Sequence, residues 1–183
     1  GKTEGSKGSH NYSDGYCTVC SSKDPNFVKV YIAGERWAVP GQWEFALTVA
    51  NEHTHCSSYL TKYEGFSNEQ IVLLKFKYKN DGFGSEFAPK ISNIVVVDET
   101  GEMARLYSTG TSSLNGCDHG VEPTKALQGY SASMTLPYAL NNKSDKLTVI
   151  VTIKDSNGTQ QKAKFSTSII PLPEEDEEDK GPA

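Results

Sequence analysis

The residues best suited to chemistry are the four cysteines and four histidines, and all four histidines lie close to cysteines in the chain. Cys17 and Cys20 form a Cys-x-x-Cys pair, with His10 ahead of it. Two thiolates at that spacing can grip one ion, and an imidazole is a third ligand of the kind zinc takes. No fourth ligand is visible nearby, so a local disulfide or a pair of idle thiols also accounts for Cys17 and Cys20. A redox dithiol would open a helix beside a sheet, a setting that Tyr16 and Thr18 do not offer. Further along, His53 and His55 precede Cys56, and Cys117 and His119 repeat the two-residue spacing. On a strand such pairs share a face, as metal ligands must, although polar loop residues are the plainer reading. Cys56 and Cys117 are expected to form a disulfide. Cys56 follows the strand-like run 43–51, and Cys117 sits in the long connection 108–129. Their bridge would close a loop of roughly 60 residues and stabilise the fold by about 4 kcal/mol.

Other reactive constellations are hard to assemble. There is no Gly-x-Ser-x-Gly elbow and no cysteine in a recognisable catalytic context, so no catalytic residue is assigned and no enzyme is expected. Gly82-Phe83-Gly84-Ser85 is not followed by a helix pattern, which argues against a phosphate cradle. Asp98 in Asp-x-x-Gly could chelate calcium, but plain turn chemistry explains it too. Phe83, Phe87, Trp37, Trp43 and Tyr130 could form a carbohydrate or protein contact surface, although Trp43 and Tyr78 also fall on core-facing positions.

Charge narrows the partners. The chain has 183 residues, 23 acids and 18 Lys or Arg. Residues 174–179 are all acidic and Lys180 follows, so positions 1–173 balance at 17 of each sign. A neutral body with an acidic tail lacks the basic face that nucleic acid requires. No apolar run exceeds four residues, so no transmembrane segment is expected. An even cysteine count in a β-rich, polar chain suggests export. The opening GKTEGSKGS reads as a flexible tether, as in a mature chain with a lipid anchor upstream of Gly1. The expected location is extracellular, anchored to the cell envelope.

The elements that must position these groups are strands. Trp43, Phe45, Leu47 and Val49 alternate with polar or small neighbours, and Val72, Leu74, Phe76 and Tyr78 alternate with Leu73, Lys75, Lys77 and Lys79. Leu147, Val149, Val151 and Ile153 repeat the period, and Ala163, Phe165 and Thr167 continue it. The runs 91–97, 103–107 and 131–136 read as further strands. Asn157-Gly158 predicts a two-residue hairpin, and Asp98–Gly101 a second turn. No stretch keeps a helical stripe. The reading is an all-β, antiparallel sandwich of seven to nine strands over 27–170. A tether with a Cys/His segment (1–26) precedes it and a disordered acidic tail (171–183) follows.

Several short motifs carry a resemblance. They are Leu74–Asn80 ending in Lys-Asn, Pro89, Asp98-x-x-Gly101, Leu127-x-Gly129, Leu136-Pro137 at a strand end, and the strand Leu147–Ile153. The region 37–170 thereby resembles the immunoglobulin-like domain of unknown function in exported lipoproteins of Gram-positive bacteria. That domain is similar in fold to a secreted mycobacterial immunoprotective antigen. The resemblance implies an immunoglobulin-like sandwich at the cell surface or secreted, with no activity to carry over. Residues 10–20 are similar to knuckle-like segments of exported proteins of gut Firmicutes, in which Gly follows the second Cys where this chain has Ser21. The functional expectation is a non-enzymatic surface module that binds an unknown protein or glycan and needs no cofactor. The alternative is an exported protein that binds zinc through its Cys/His clusters.

Overall fold

In the computed structural model, residues 10–22, 24–53, 69–106 and 123–174 are described. The strands in chain order are β1 (Tyr12–Ser13), β2 (Tyr16–Cys17), β3 (Val30–Ile32), β4 (Trp37–Val39), β5 (Trp43–His53), β6 (Gln70–Asn80) and β7 (Glu86–Phe87). They continue with β8 (Ile94–Val97), β9 (Arg105–Leu106), β10 (Ala126–Leu127), β11 (Ser131–Leu140), β12 (Lys146–Lys154) and β13 (Gln160–Ile170). Among the described residues the only helix is a 3-10 turn at Ile91–Asn93, which takes the start of the run read as strand and leaves Ile94–Val97 to β8.

The architecture is the expected all-β sandwich, with nine strands in its two layers among the described residues. One layer runs β8-β12-β13-β3 and the other β4-β5-β6-β11-β9. β13 joins them. Its 164–166 segment pairs with β3, and Ile169 and Ile170 pair with β5. Both pairings are parallel, where an antiparallel sandwich was expected. Phe165 of one layer meets Phe45 and Trp37 of the other at ring centroids 5.7 and 6.4 Å apart. The alternating residues Leu74, Phe76 and Tyr78 face Leu147, Val149, Val151 and Ala163 in one buried cluster. Burying each large side chain contributes on the order of 1.5–3 kcal/mol, which is the drive that brings the two period-two faces together.

Three local expectations are corrected. Register on β5 slips between Leu47 and Val49, so that Leu47 opposes Phe76 and Val49 opposes Lys75. This bulge at Thr48 turns Val49 away from the core and lets Ala50, fully buried, take the inward place. β11 continues through Pro137 to Leu140 instead of ending there. Pro137 pairs with Leu73 on one side, and among the described residues β9 pairs with Tyr138 and Ala139 on the other. The β12–β13 hairpin exists, but as a longer turn in which only Gly158 has positive φ, at 79°. The Gly158 amide donates to the Asp155 carbonyl at 3.0 Å and the Asp155 amide to Thr159 at 2.9 Å. Asp98–Glu102 repeats this turn, with Gly101 at φ 90° and Asp98 Oδ1 accepting the Thr100 and Glu102 amides.

Candidate metal centre

The N-terminal segment is built around one tight turn. Asp14 and Gly15 both have positive φ, 51° and 84°, which is the two-residue turn that matches strand twist, so Tyr12–Ser13 pairs with Tyr16–Cys17. Gly15 is needed twice over: a Cβ there would lie 2.4 Å from the Phe27 ring. Beyond Cys17 the chain doubles back. The Thr18 amide donates to Asn11, the Ser21 amide to Cys17, and the Cys17 amide to Ser22. Ser21 takes φ 59°, the left-handed conformation for which glycine is the easy residue. The knuckle turn therefore forms with serine in place, at a conformational cost of about 1–2 kcal/mol.

This turn gathers the three expected ligands. His10, stacked on Tyr12, places Nδ1 3.3 Å from Cys17 Sγ and 3.4 Å from Cys20 Sγ. The three ligand atoms lie within 4.8 Å of one another. A tetrahedral zinc ion with ordinary bond lengths holds sulfur and nitrogen ligands about 3.6 Å apart, so small adjustments would seat it. Backbone amides of Cys20 and then Val19 aim at the Cys17 sulfur and hold its thiol below the ordinary range, against the opposing effect of burial. A thiol so tuned gives up its proton more readily to a metal. Both cysteines are free thiols; Cys17 is buried, whereas Cys20 and His10 are exposed and Cys20 Sγ lies 3.0 Å from Ser22 Oγ. No other group of three or more possible ligands comes together among the described residues.

The remaining site residues fare differently. Cys56 and Cys117, with His55 and His119, lie outside the described residues, and His53 is at the end of β5. Asp98 is buried and its carboxylate is occupied: Oδ1 accepts the Thr100 hydroxyl at 2.7 Å and Oδ2 accepts Asn142 Nδ2 at 2.9 Å. That is turn chemistry. The aromatic contact surface dissolves, because Trp37, Trp43 and Phe87 are buried, Phe83 packs against them, and only Tyr130 is exposed. Trp43 stacks on Phe87 at 5.9 Å, so the loop 81–87 folds inward instead of offering its rings to solvent. Its anchor is Asn80, which in the sequence is only the end of a Lys-Asn motif. Fully buried, Asn80 donates to the Gly84 and Ala126 carbonyls and accepts from the Gly82 and Phe83 amides. A polar residue closing a core-facing period is the signal that marks it.

No protein-family profile matches the chain, and no curated protein is similar to it. Among solved structures the chain is similar to MPT63, a secreted protein from Mycobacterium tuberculosis. The TM-score is 0.48 at 11% identity, covering 78% of this chain and 98% of that one.

Proposed function

We propose that the chain is a non-enzymatic, exported β-sandwich module whose N-terminal hairpin holds one soft divalent metal ion, zinc first. The observation that carries this reading is the convergence of His10 Nδ1, Cys17 Sγ and Cys20 Sγ on a turn whose amides already favour a thiolate. Three protein ligands leave a fourth position, which water or an outside donor fills. The ion's role is structural: it ties His10 and Cys20 to Cys17 in a segment of two-residue strands, too short to be stable unaided. Export is supported by the even cysteine count and the polar, β-rich composition. The sandwich is then the body that presents the hairpin outside the cell.

Metal analysis of protein purified without chelator, paired with a thiol titration, tests the reading. The expected result is close to one zinc per chain, lost in Cys17→Ser and in His10→Ala. A metal-free protein in which Cys17 and Cys20 are joined as a disulfide refutes it.

A further inference from the structure

We infer that the outer face of the β5-β6-β11 sheet is a docking trough for a linear, phosphate-bearing polyanion. The period that buries Leu74, Phe76 and Tyr78 sends Lys75, Lys77 and Lys79 to the opposite face of the same strand. Across the register these lysines are flanked by small side chains: Ala46 and Ser133 beside Lys77, Val49 and Thr135 beside Lys75. Long cationic arms therefore rise from a floor of short, partly hydroxylated residues. The bulge falls at Thr48, and two adjoining hollows of about 250 and 390 Å³ meet at Thr48, Lys77 and Ser131.

Charge selects the occupant. At one end of the trough the cations are already neutralised, Arg36 by Glu44 at 2.9 Å and Lys79 by Asp81 at 2.7 Å. Lys75 and Lys77 have no ion-pair partner among the described residues. They are exposed and sit two residues apart on one strand, about 7 Å by strand geometry. Two uncompensated ammonium groups in a hydroxyl-lined hollow suit a repeating anion whose non-bridging oxygens can accept from both donor types. Among the described residues the outward positions beside Lys75 and Lys77 are Ala46, Val49, Ser133 and Thr135, none of them aromatic. The strand that carries both lysines, β6, is paired on both sides here, with β5 and with β11, so its own backbone is closed to an added peptide strand. Recognition is left to point charges and hydroxyls, which is how lysine binds phosphate.

The test uses the full chain and short-chain inorganic polyphosphate as the probe, with binding followed calorimetrically at low and at physiological salt. Binding should weaken as salt rises, and Lys75→Gln/Lys77→Gln should lower affinity about tenfold, the sum expected for two exposed ion pairs. Lys162→Gln/Lys164→Gln on the other sheet should leave it unchanged. Both pairs of substitutions lie on outward positions, and unaltered melting of each variant confirms that the fold is kept. Three outcomes overturn the inference: no binding at low salt, equal loss in both double variants, or no loss in either. Poly-glutamate binding as tightly as polyphosphate also overturns it, and assigns the trough to an acidic segment such as 174–179 of this chain or a second copy. Tighter binding of a single-stranded oligonucleotide would likewise replace the assignment.

Discussion

Asn80 is the side chain whose loss the structure weighs most directly. Its amide makes four hydrogen bonds, to the Gly84 and Ala126 carbonyls at 3.0 and 3.2 Å and from the Gly82 and Phe83 amides at 3.1 and 3.0 Å. Asn80→Ala leaves the Gly84 and Ala126 carbonyls without this donor, whereas the Gly82 and Phe83 amides keep the Gln42 carbonyl at 3.0 and 3.1 Å. At about 1 kcal/mol for each carbonyl and less for each amide, the expected cost is about 2–3 kcal/mol, a large share of a domain's whole stability. Asn80→Asp is more discriminating. One oxygen still accepts the two amides, but the other now faces two carbonyls, so the buried carboxyl is better tolerated protonated and its folded pKa rises. A raised folded pKa contributes stability that is intact below the unfolded value of about 3.9 and lost as pH climbs through the folded one. Asn80→Asp should therefore lie closest to the parent near pH 4 and fall away towards pH 7. Urea unfolding at a series of pH values, read by the fluorescence of the buried Trp37 and Trp43, measures both effects. An Asn80→Ala cost below about 1 kcal/mol, or an Asn80→Asp deficit that does not vary with pH, would show that the loop 81–87 is held by something else.

Asp98 has the opposite sign. Burial pushes its carboxyl up, but the Asn142 amide, the Thr100 hydroxyl and the Glu102 and Thr100 backbone amides outweigh it and hold the pKa below the usual range. Its stabilisation is present above the unfolded pKa and lost as pH falls through the folded one. Acid titration of Asp98→Asn should accordingly show a lower plateau at neutral pH and a shallower acid limb than the parent. Ser21→Gly relieves the strain at φ 59° and should tighten zinc binding several-fold in a chelator competition, whereas Ser21→Val should weaken it. Phe165→Ala, at the contact between layers, should cost about 3–5 kcal/mol in the same urea assay. Joint Cys56→Ser and Cys117→Ser substitution should lower the melting temperature by about 10 °C if those residues are bridged, and non-reducing peptide mapping reads the bridge directly.

What was legible in the sequence is what depends on neighbours along the chain. Period two placed Val72, Leu74, Phe76 and Tyr78 in the core, and all four are buried there. The Cys/His spacing brought His10, Cys17 and Cys20 together because a single turn of backbone does the work. What escaped depends on partners distant in sequence. Nothing in the run 43–53 says that the bulge falls at Thr48, since Val49 and Ala50 are both acceptable inside; the opposing register with Lys75 decides it. The parallel pairing of β13 with β3 and β5 is likewise a fact about long connections. The aromatic loop misled for a related reason. Phe83 and Phe87 read as exposed because the connection is glycine-rich, yet Asn80 and the Gln42 carbonyl supply the missing hydrogen bonds, Phe87 packs on Trp43 and Tyr78, and Phe83 packs on Phe87.

The core and the proposed trough come from one pattern. Each residue of β6 that commits an apolar group inward commits its neighbour outward, so the strand that supplies Leu74, Phe76 and Tyr78 to the core must also display whatever lies between them. A solvated sheet face can be satisfied by many polar residues. Here it carries lysine at three successive outward positions, with acids placed against only one of them on that strand, Lys79. Because the two faces share a backbone but not their side-chain environments, substitutions at Lys75 and Lys77 should act on binding without acting on packing. That separation makes the trough testable in a chain whose sandwich stays intact.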